Sequence, residues 1–262
     1  MTATGKTPGE LLPPATISEQ DGVRYLHLGT PWVQGAMRLA RPQAIELEYV
    51  QRMLAGLLWR PTGSLGQGRA VQLGLGAGTL TRFTMRALML PTTVVELNPH
   101  VLFACHMWFR LPHEGPLLDV HIADAGAWLD SPAAQALAGE VGLLHVDLYD
   151  QEAAAPVLDD EAFYAGCRRL LASGGVAAVN LFGRQASFDR SCARIAAAFG
   201  ADQVWTLRPT REGNTVVIAG RGVVVPDRET LKSRASHLEQ RFIRHGLPAT
   251  KWLRMVRPYL SP

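Results

Sequence analysis

Seven short, β-prone apolar runs, the first six separated by helical segments, constrain this chain more than any other feature. They are AVQLGL from Ala70, TTVVEL from Thr92, LLDVHIA from Leu117, VGLLHVD from Val141, GVAAVNLF from Gly175, DQVWTL from Asp202 and NTVVIAG from Asn214. Strands that alternate with helices are joined by crossovers, and crossovers lay down parallel neighbours with helices on both faces. Only RPTREG links the last two runs, so they read as a hairpin that puts an antiparallel strand at or near the edge. The expected fold class is therefore α/β: a Rossmann-like, seven-stranded, mostly parallel sheet. Before it, VRYLHL and VQGAMRL flank Gly29-Thr30-Pro31 and read as a short N-terminal β-hairpin. Apolar residues at helical spacing from Pro42 to Trp59 predict a helix, and the chain ends in a basic, helical C-terminus closing on KWLRMVRPYL. The expected division is a loose tail at 1–16, the hairpin extension at 17–41, the main domain at 42–222 and the helical extension at 223–262.

Composition narrows the class. The 262 residues are 47% hydrophobic and 19% charged, enough to bury a substantial core. A net charge of +3 is too small to call for a nucleic acid partner. Arg241, Arg244, Lys251, Arg254 and Arg257 are interspersed near Glu229 and Glu239, the pattern of a solvated helix face. No apolar run approaches the roughly 18 residues of a membrane span, and the start lacks a charged-then-apolar leader. No membrane partner is expected, and the expected location is cytoplasmic. Cys105, Cys167 and Cys192 show no CxxC spacing and read as packed, reduced thiols. The scattered histidines (His27, His100, His106, His113, His121, His145) form no HxxxH pair, so no metal is expected. Trp108, Phe109 and Trp128 read as core or interface, and Ser173-Gly174-Gly175 as a helix end turning into the fifth strand.

The densest chemical signal is Leu73-Gly74-Leu75-Gly76-Ala77-Gly78-Thr79-Leu80, where the first strand of the sheet closes and a helix opens. Gly74, Gly76 and Gly78 let the backbone turn sharply and approach a ligand. The dinucleotide pattern G-x-G-x-x-G fails, because its last position falls on Thr79 or Thr81. Glu96 ends the second strand, where a carboxylate accepts both ribose hydroxyls of an adenosine. Asp124, followed by Ala125, comes after the third strand; it reads either as an acceptor for the adenine amino group or as a helix cap. A glycine turn and two acids at the carboxyl ends of successive strands are more specific together than any of them alone. They point to an adenosine-bearing ligand held at that edge.

The fourth strand runs out as His145-Val146-Asp147-Leu148-Tyr149-Asp150. Two carboxylates flanking a tyrosine suit a cationic amine: one removes a proton so that nitrogen can attack, and the other holds positive charge. On the strength of GLGAGTL, VVELNP, ADAGAWL, the DLYD turn and FYAGCRRLLASGGVAAVN, residues 33–220 resemble the spermidine synthase group of polyamine aminopropyltransferases. The resemblance implies a methyltransferase-like fold. It implies transfer of an aminopropyl group from decarboxylated S-adenosylmethionine to a small-molecule polyamine, releasing methylthioadenosine. It puts the ribose on Glu96, the adenine on Asp124, the base on Asp147 and the amine contact on Asp150, with Tyr149 shaping the pocket. A homodimer is the expected assembly.

The chain departs from that family in three places. Ala77 stands where the family carries an Asp that helps hold the transferred group's ammonium. Arg211 stands near the place of a substrate-contacting tyrosine. The N-terminal β-domain shrinks to about one hairpin, leaving Gln34 and Tyr49 as candidates for its contacts. The alternatives are a methyltransferase using intact S-adenosylmethionine, which Ala77 favours, and a nucleoside-binding relative without chemistry.

Overall fold

The computed structural model describes residues 12–148, 158–182 and 185–259. A small antiparallel sheet comes first, with β1 (Ala15–Gln20), β2 (Val23–Leu28) and β3 (Gly35–Arg38) side by side. The main sheet uses β4 (Arg69–Leu73), β5 (Thr92–Glu96), β6 (Leu118–Ile122), β7 (Val141–Val146), β8 (Leu171–Phe182), β9 (Val204–Thr206), β10 (Asn214–Arg221) and β11 (Arg257–Pro258). Its order is β11-β9-β10-β8-β7-β4-β5-β6. The helices are α1 (Glu48–Met53), α2 (Thr79–Arg86), α3 (Pro99–Trp108), α4 (Ala125–Leu129), α5 (Pro132–Ala136), α6 (Glu161–Leu170), α7 (Gln185–Phe199), α8 (Arg228–Arg241) and α9 (Ala249–Trp252).

The topology places the site. From β4 the chain steps outward through β5 and β6, then returns to the far side of β4 to lay down β7. At that reversal the two crossovers leave in opposite directions, opening a crevice at the carboxyl ends of β4 and β7. At the other end, β10 runs antiparallel to both β8 and β9, the expected hairpin.

All seven strands read from the apolar runs are present in the main sheet, and the structure adds two elements. The two-residue β11 pairs with β9 as an eighth strand, too short to carry any periodicity. β1 gives the N-terminal hairpin a third strand and begins at Ala15, inside the segment read as tail; its ATISEQ sequence is mostly exposed and so shows little apolar alternation. The helix expected from Pro42 reduces to α1 and a 3₁₀ turn over Leu54–Trp59. Glu46 is bonded to Arg38 of β3, which ties the preceding loop to the small sheet and delays the helix. β8 starts directly after α6, at Leu171, with Gly174 at φ +76° taking up the turn inside the strand.

Strand alternation divides the core. Along β10, Val216 and Ile218 pack with Trp59, Leu57 and Trp252 on one face, while Val217 and Ala219 meet Tyr164, Leu170 and Ile195 on the other. A third cluster joins Leu26 and Met37 of the small sheet to Val101 and Phe109 beside Leu75 and Ala77, which seats the hairpin on the glycine turn. Phe109 and Trp128 are core residues, whereas Trp108 is exposed with the Arg24 guanidinium 5.3 Å from its ring centroid. Among the described residues no helix is long and apolar enough to cross a membrane. The basic α8 buries only Ala235 and Leu238.

Candidate active site

The turn after β4 can close on the crevice because its first residue, Gly74, has no Cβ. Gly74 has φ +88°, and a Cβ on it would lie 2.1 Å from the backbone oxygen of Asp147 at the end of β7. Gly76 and Gly78 also take positive φ, and Gly78 opens α2. Three side chains brace the turn. The Glu96 carboxylate accepts from Leu75 N at 2.8 Å and Asn98 N at 2.9 Å. The Cys105 thiol donates to Gly76 O at 3.1 Å, and Arg82 Nη1 donates to Ala77 O at 2.7 Å. Burial pushes the Glu96 carboxyl up, and the backbone donors Asn98 and Leu75 oppose that rise.

One cavity opens on the β5 side of this turn, lined by Gly74, Gly76, Glu96, Asp124, Ala125 and Asp147, with Leu26 and Val101 among its apolar walls. Asp124 is exposed and caps α4, accepting from Ala127 N at 2.9 Å through Oδ1. Of the two readings of this acid, the cap is realised, and its carboxylate still borders the cavity.

A second, smaller cavity lies on the other side of the turn and shares Gln34, Leu75, Gly76 and Asp147 with the first. Its polar rim adds Tyr49 of α1 and Glu46. Asp147 is the carboxylate common to both. Its N–H donates to Leu73 O at 2.9 Å, continuing the ladder between β4 and β7. Its Oδ1 accepts from Asn180 Nδ2 at 2.9 Å, and Tyr49 bonds it from α1. Asn180 Oδ1 in turn accepts from Asn214 Nδ2 at 3.2 Å across the β8–β10 pair. Desolvation pushes the Asp147 carboxyl up, against the bonds from Asn180 and Tyr49.

Of the sequence-derived candidates, Gly74, Gly76, Glu96, Asp124, Ala125 and Asp147 line the first cavity, whereas Gly78 lines neither and caps α2 behind the turn; Tyr149 and Asp150 lie outside the described residues. Gln34 and Tyr49 both reach the second cavity. Ala77 is 3% exposed, and a Cβ built on Gly35 would come within 2.5 Å of Ala77 Cβ, so hairpin backbone packs directly against this side chain. Arg211 is exposed and lines neither cavity. Sequence reasoning missed Cys105, Asn180 and Asn214 as supports. Asn180 had a signal, being the one polar residue in the apolar run VAAVNLF, where a buried amide demands partners. Among the described residues no group of His, Cys, Asp or Glu is arranged to hold a metal.

No protein-family model matches the chain. A polyamine aminopropyltransferase of Chromobacterium violaceum is 30% identical over 235 residues, covering 89% of this chain and 86% of the relative. Its counterpart in Neisseria meningitidis serogroup A is 29% identical over 232 residues, 88% of this chain and 85% of the relative. Among solved structures, a probable spermidine synthase from Corynebacterium glutamicum aligns with a TM-score of 0.69 at 20% identity, over 89% of this chain and 85% of that one. Human methyltransferase-like protein 13, solved with SAH, aligns with a TM-score of 0.65 at 22% identity, over 76% and 93%. These two show the shared methyltransferase-like fold. The Chromobacterium relative, matched along most of both chains, shows that this chain is a transferase belonging to the polyamine aminopropyltransferase family.

Proposed function

We propose that the protein moves an aminopropyl group from decarboxylated S-adenosylmethionine to a small polyamine. The observation that carries this reading is the Asp147 carboxylate, partly desolvated, shared by two cavities, and oriented by Asn180 and Tyr49. The cavity holding Glu96 and Asp124 takes the donor's adenosine. Glu96 Oε2 accepts from Leu75 N and Oε1 from Asn98 N, the carboxylate keeps lone-pair capacity for a ribose hydroxyl, and Asp124 keeps Oδ2 for the adenine amino group. The donor's sulfonium then points toward Asp147, and the acceptor amine enters the second cavity.

An alkylammonium with a pKa near 10 is almost wholly protonated at pH 7 and carries no lone pair to attack with. Asp147 takes that proton. The freed nitrogen attacks the methylene carbon beside the sulfonium, the carbon–sulfur bond breaks, and its electrons stay on sulfur in neutral methylthioadenosine. Burial raises the Asp147 pKa toward that of the amine, which strengthens it as a base. Tyr49 holds the carboxylate in place, and the remaining acceleration comes from positioning. Tyr149 and Asp150 complete this reading as pocket wall and anchor for the acceptor's charge. Mixing the protein with putrescine and the decarboxylated donor should yield methylthioadenosine and spermidine in equal amounts; no methylthioadenosine with any di- or polyamine sinks the proposal.

Ala77 favours a second reading, methyl transfer from intact S-adenosylmethionine, because no acid at that place repels the intact donor's carboxylate. Calorimetric affinities for the two donors separate the readings. Tighter binding of the intact donor, with a methylated product, replaces the first. Binding of methylthioadenosine with no product from either donor leaves a nucleoside-binding protein without chemistry.

A further inference from the structure

A third cavity, of about 230 Å³, lies behind the glycine turn and plays no part in the chemistry above. Arg82, Arg86, Arg110 and His245 line it together with Thr79 and Gln43, and its lining includes no carboxylate. Among the described residues none of the three arginines makes an ion pair. Arg82 is 8% exposed and hence a buried cation. Its Nη1 donates to Ala77 O and Phe109 O, both at 2.7 Å, and its Nη2 reaches Thr79 Oγ1 at 3.3 Å. These neutral acceptors orient the guanidinium without balancing its charge. Arg86 and Arg110 are exposed at the rim, and Arg86 Nη2 lies 3.4 Å from Arg110 O. Burial pushes the Arg82 pKa down to about 10, with Arg86 and Arg110 adding to the fall, yet Arg82 stays charged at neutral pH. A buried, uncompensated guanidinium with two more at the mouth of its cavity is unfavourable until a negative charge joins them.

We propose that this cavity is a binding site for the phosphate group of a small molecule, with buried Arg82 at its floor and Arg86 and Arg110 closing on it from the rim. A single carboxylate would balance one of the three charges, whereas a phosphate dianion balances two and presents enough oxygens for forked guanidinium contacts. Arg82 also holds the Ala77 carbonyl, so the floor of this cavity is one hydrogen bond from the turn that lines the nucleoside site. The inference rests on this geometry alone and is independent of the reaction proposed above.

The test is thermal unfolding of the full chain titrated with inorganic phosphate or glycerol 3-phosphate, with ionic strength held constant by sodium chloride. A saturable rise in Tm is expected for at least one of the two, and the tighter binder distinguishes free phosphate from a phosphate ester as the natural source. The Arg86→Ala/Arg110→Ala double variant should bind that anion at least about tenfold more weakly, the loss of one charged contact or more. Methylthioadenosine affinity, measured on the same sample, serves as the check that the variant is folded. If the double variant does not fold, the Arg110→Ala single variant replaces it and should still weaken phosphate. No saturable shift in the wild type, or an unchanged phosphate affinity in the folded variant, overturns the proposal.

Discussion

The two cavities that meet at Asp147 are built from different kinds of contact. On the side proposed for the nucleoside, each acid stands at the end of its own strand and is held locally. Glu96 grips the amides of Leu75 and Asn98, and Asp124 caps the helix that follows it. On the side proposed for the amine, Glu46 comes from beside the small sheet and Tyr49 from α1, while Asn180 of β8 and Asn214 of β10 support Asp147 from behind, converging from across the chain. The acids of the first cavity thus follow from the strand ends of the methyltransferase-like fold, while the second cavity belongs to the way this chain packs. Changes on the two sides should then separate in what they damage.

The sharpest separation comes from Asp147→Asn. Loss of a general base lowers kcat/KM by about 10²–10⁴-fold, while methylthioadenosine affinity stays near wild type. Stability should move the other way. A carboxyl whose folded pKa is raised adds stability that is complete below its unfolded pKa near 4 and fades as pH rises through the folded value. Above the folded value the wild type therefore carries an opposing buried charge that the variant lacks. The variant's Tm should gain on the wild type as pH rises above about 4. A matching loss of methylthioadenosine affinity would erase the distinction between the two sides.

Glu96→Gln is the complementary break. A neutral amide keeps one acceptor for the turn but loses the charge-assisted bonds to ribose, which are worth about 1.5–3 kcal/mol, or roughly 10- to 150-fold in affinity. Methylthioadenosine should bind weaker by that factor while kcat at saturating donor changes little. A collapse of kcat at saturation would mean that Glu96 also serves the reacting end.

The same division decided what the sequence made legible. Gly74, Gly76, Gly78, Glu96, Asp124 and Asp147 each follow a run of clear strand periodicity, and strand ends share one edge of a parallel sheet, so reading the strands located the acids. Tyr49 is a candidate through the family resemblance, and Asn180 stands out as a polar residue in an apolar run. That both meet Asp147 depends on register and packing that no local pattern encodes: Asn180 reaches it across the β7–β8 pair, and α1 crosses from about a hundred residues upstream. The meeting of Gly35 with Ala77 was equally hidden. Ala77 read as a missing acid, whereas the structure shows the small sheet pressing its backbone against that methyl group.

That contact gives the third break. Gly35→Ala drives a methyl group into Ala77 Cβ and the Ala77 amide nitrogen, 2.5 and 2.6 Å away. Both neighbours belong to the braced glycine turn, so the hairpin must shift, at a cost of about 1–3 kcal/mol. A Tm lower by roughly 2–10 °C is expected in calorimetry. KM for the amine should rise more than affinity for methylthioadenosine falls, because β3 leads into the Glu46 and Tyr49 wall of the second cavity. An unchanged Tm would show that the hairpin is not pressed onto the turn.

The smallest and most specific effect belongs to Asn180→Ala. Asn180 touches Asp147 but borders neither cavity, so it is a positioning residue acting through that carboxylate. Losing one hydrogen bond of about 0.5–1.5 kcal/mol should lower kcat/KM about two- to tenfold. A merely structural defect could do the same, so pH supplies the discriminating readout. The Asn180 bond stabilises the charged form of Asp147 and holds its pKa down against burial. Without it the pKa rises, and because the base works deprotonated, the acid limb of the kcat/KM profile must move to higher pH. Tyr49→Phe removes the other bond to Asp147 and should shift the limb in the same direction, while Glu96→Gln should not raise it. A limb that stays in place in both Asn180→Ala and Tyr49→Phe would mean that the group titrating on the amine side is not Asp147.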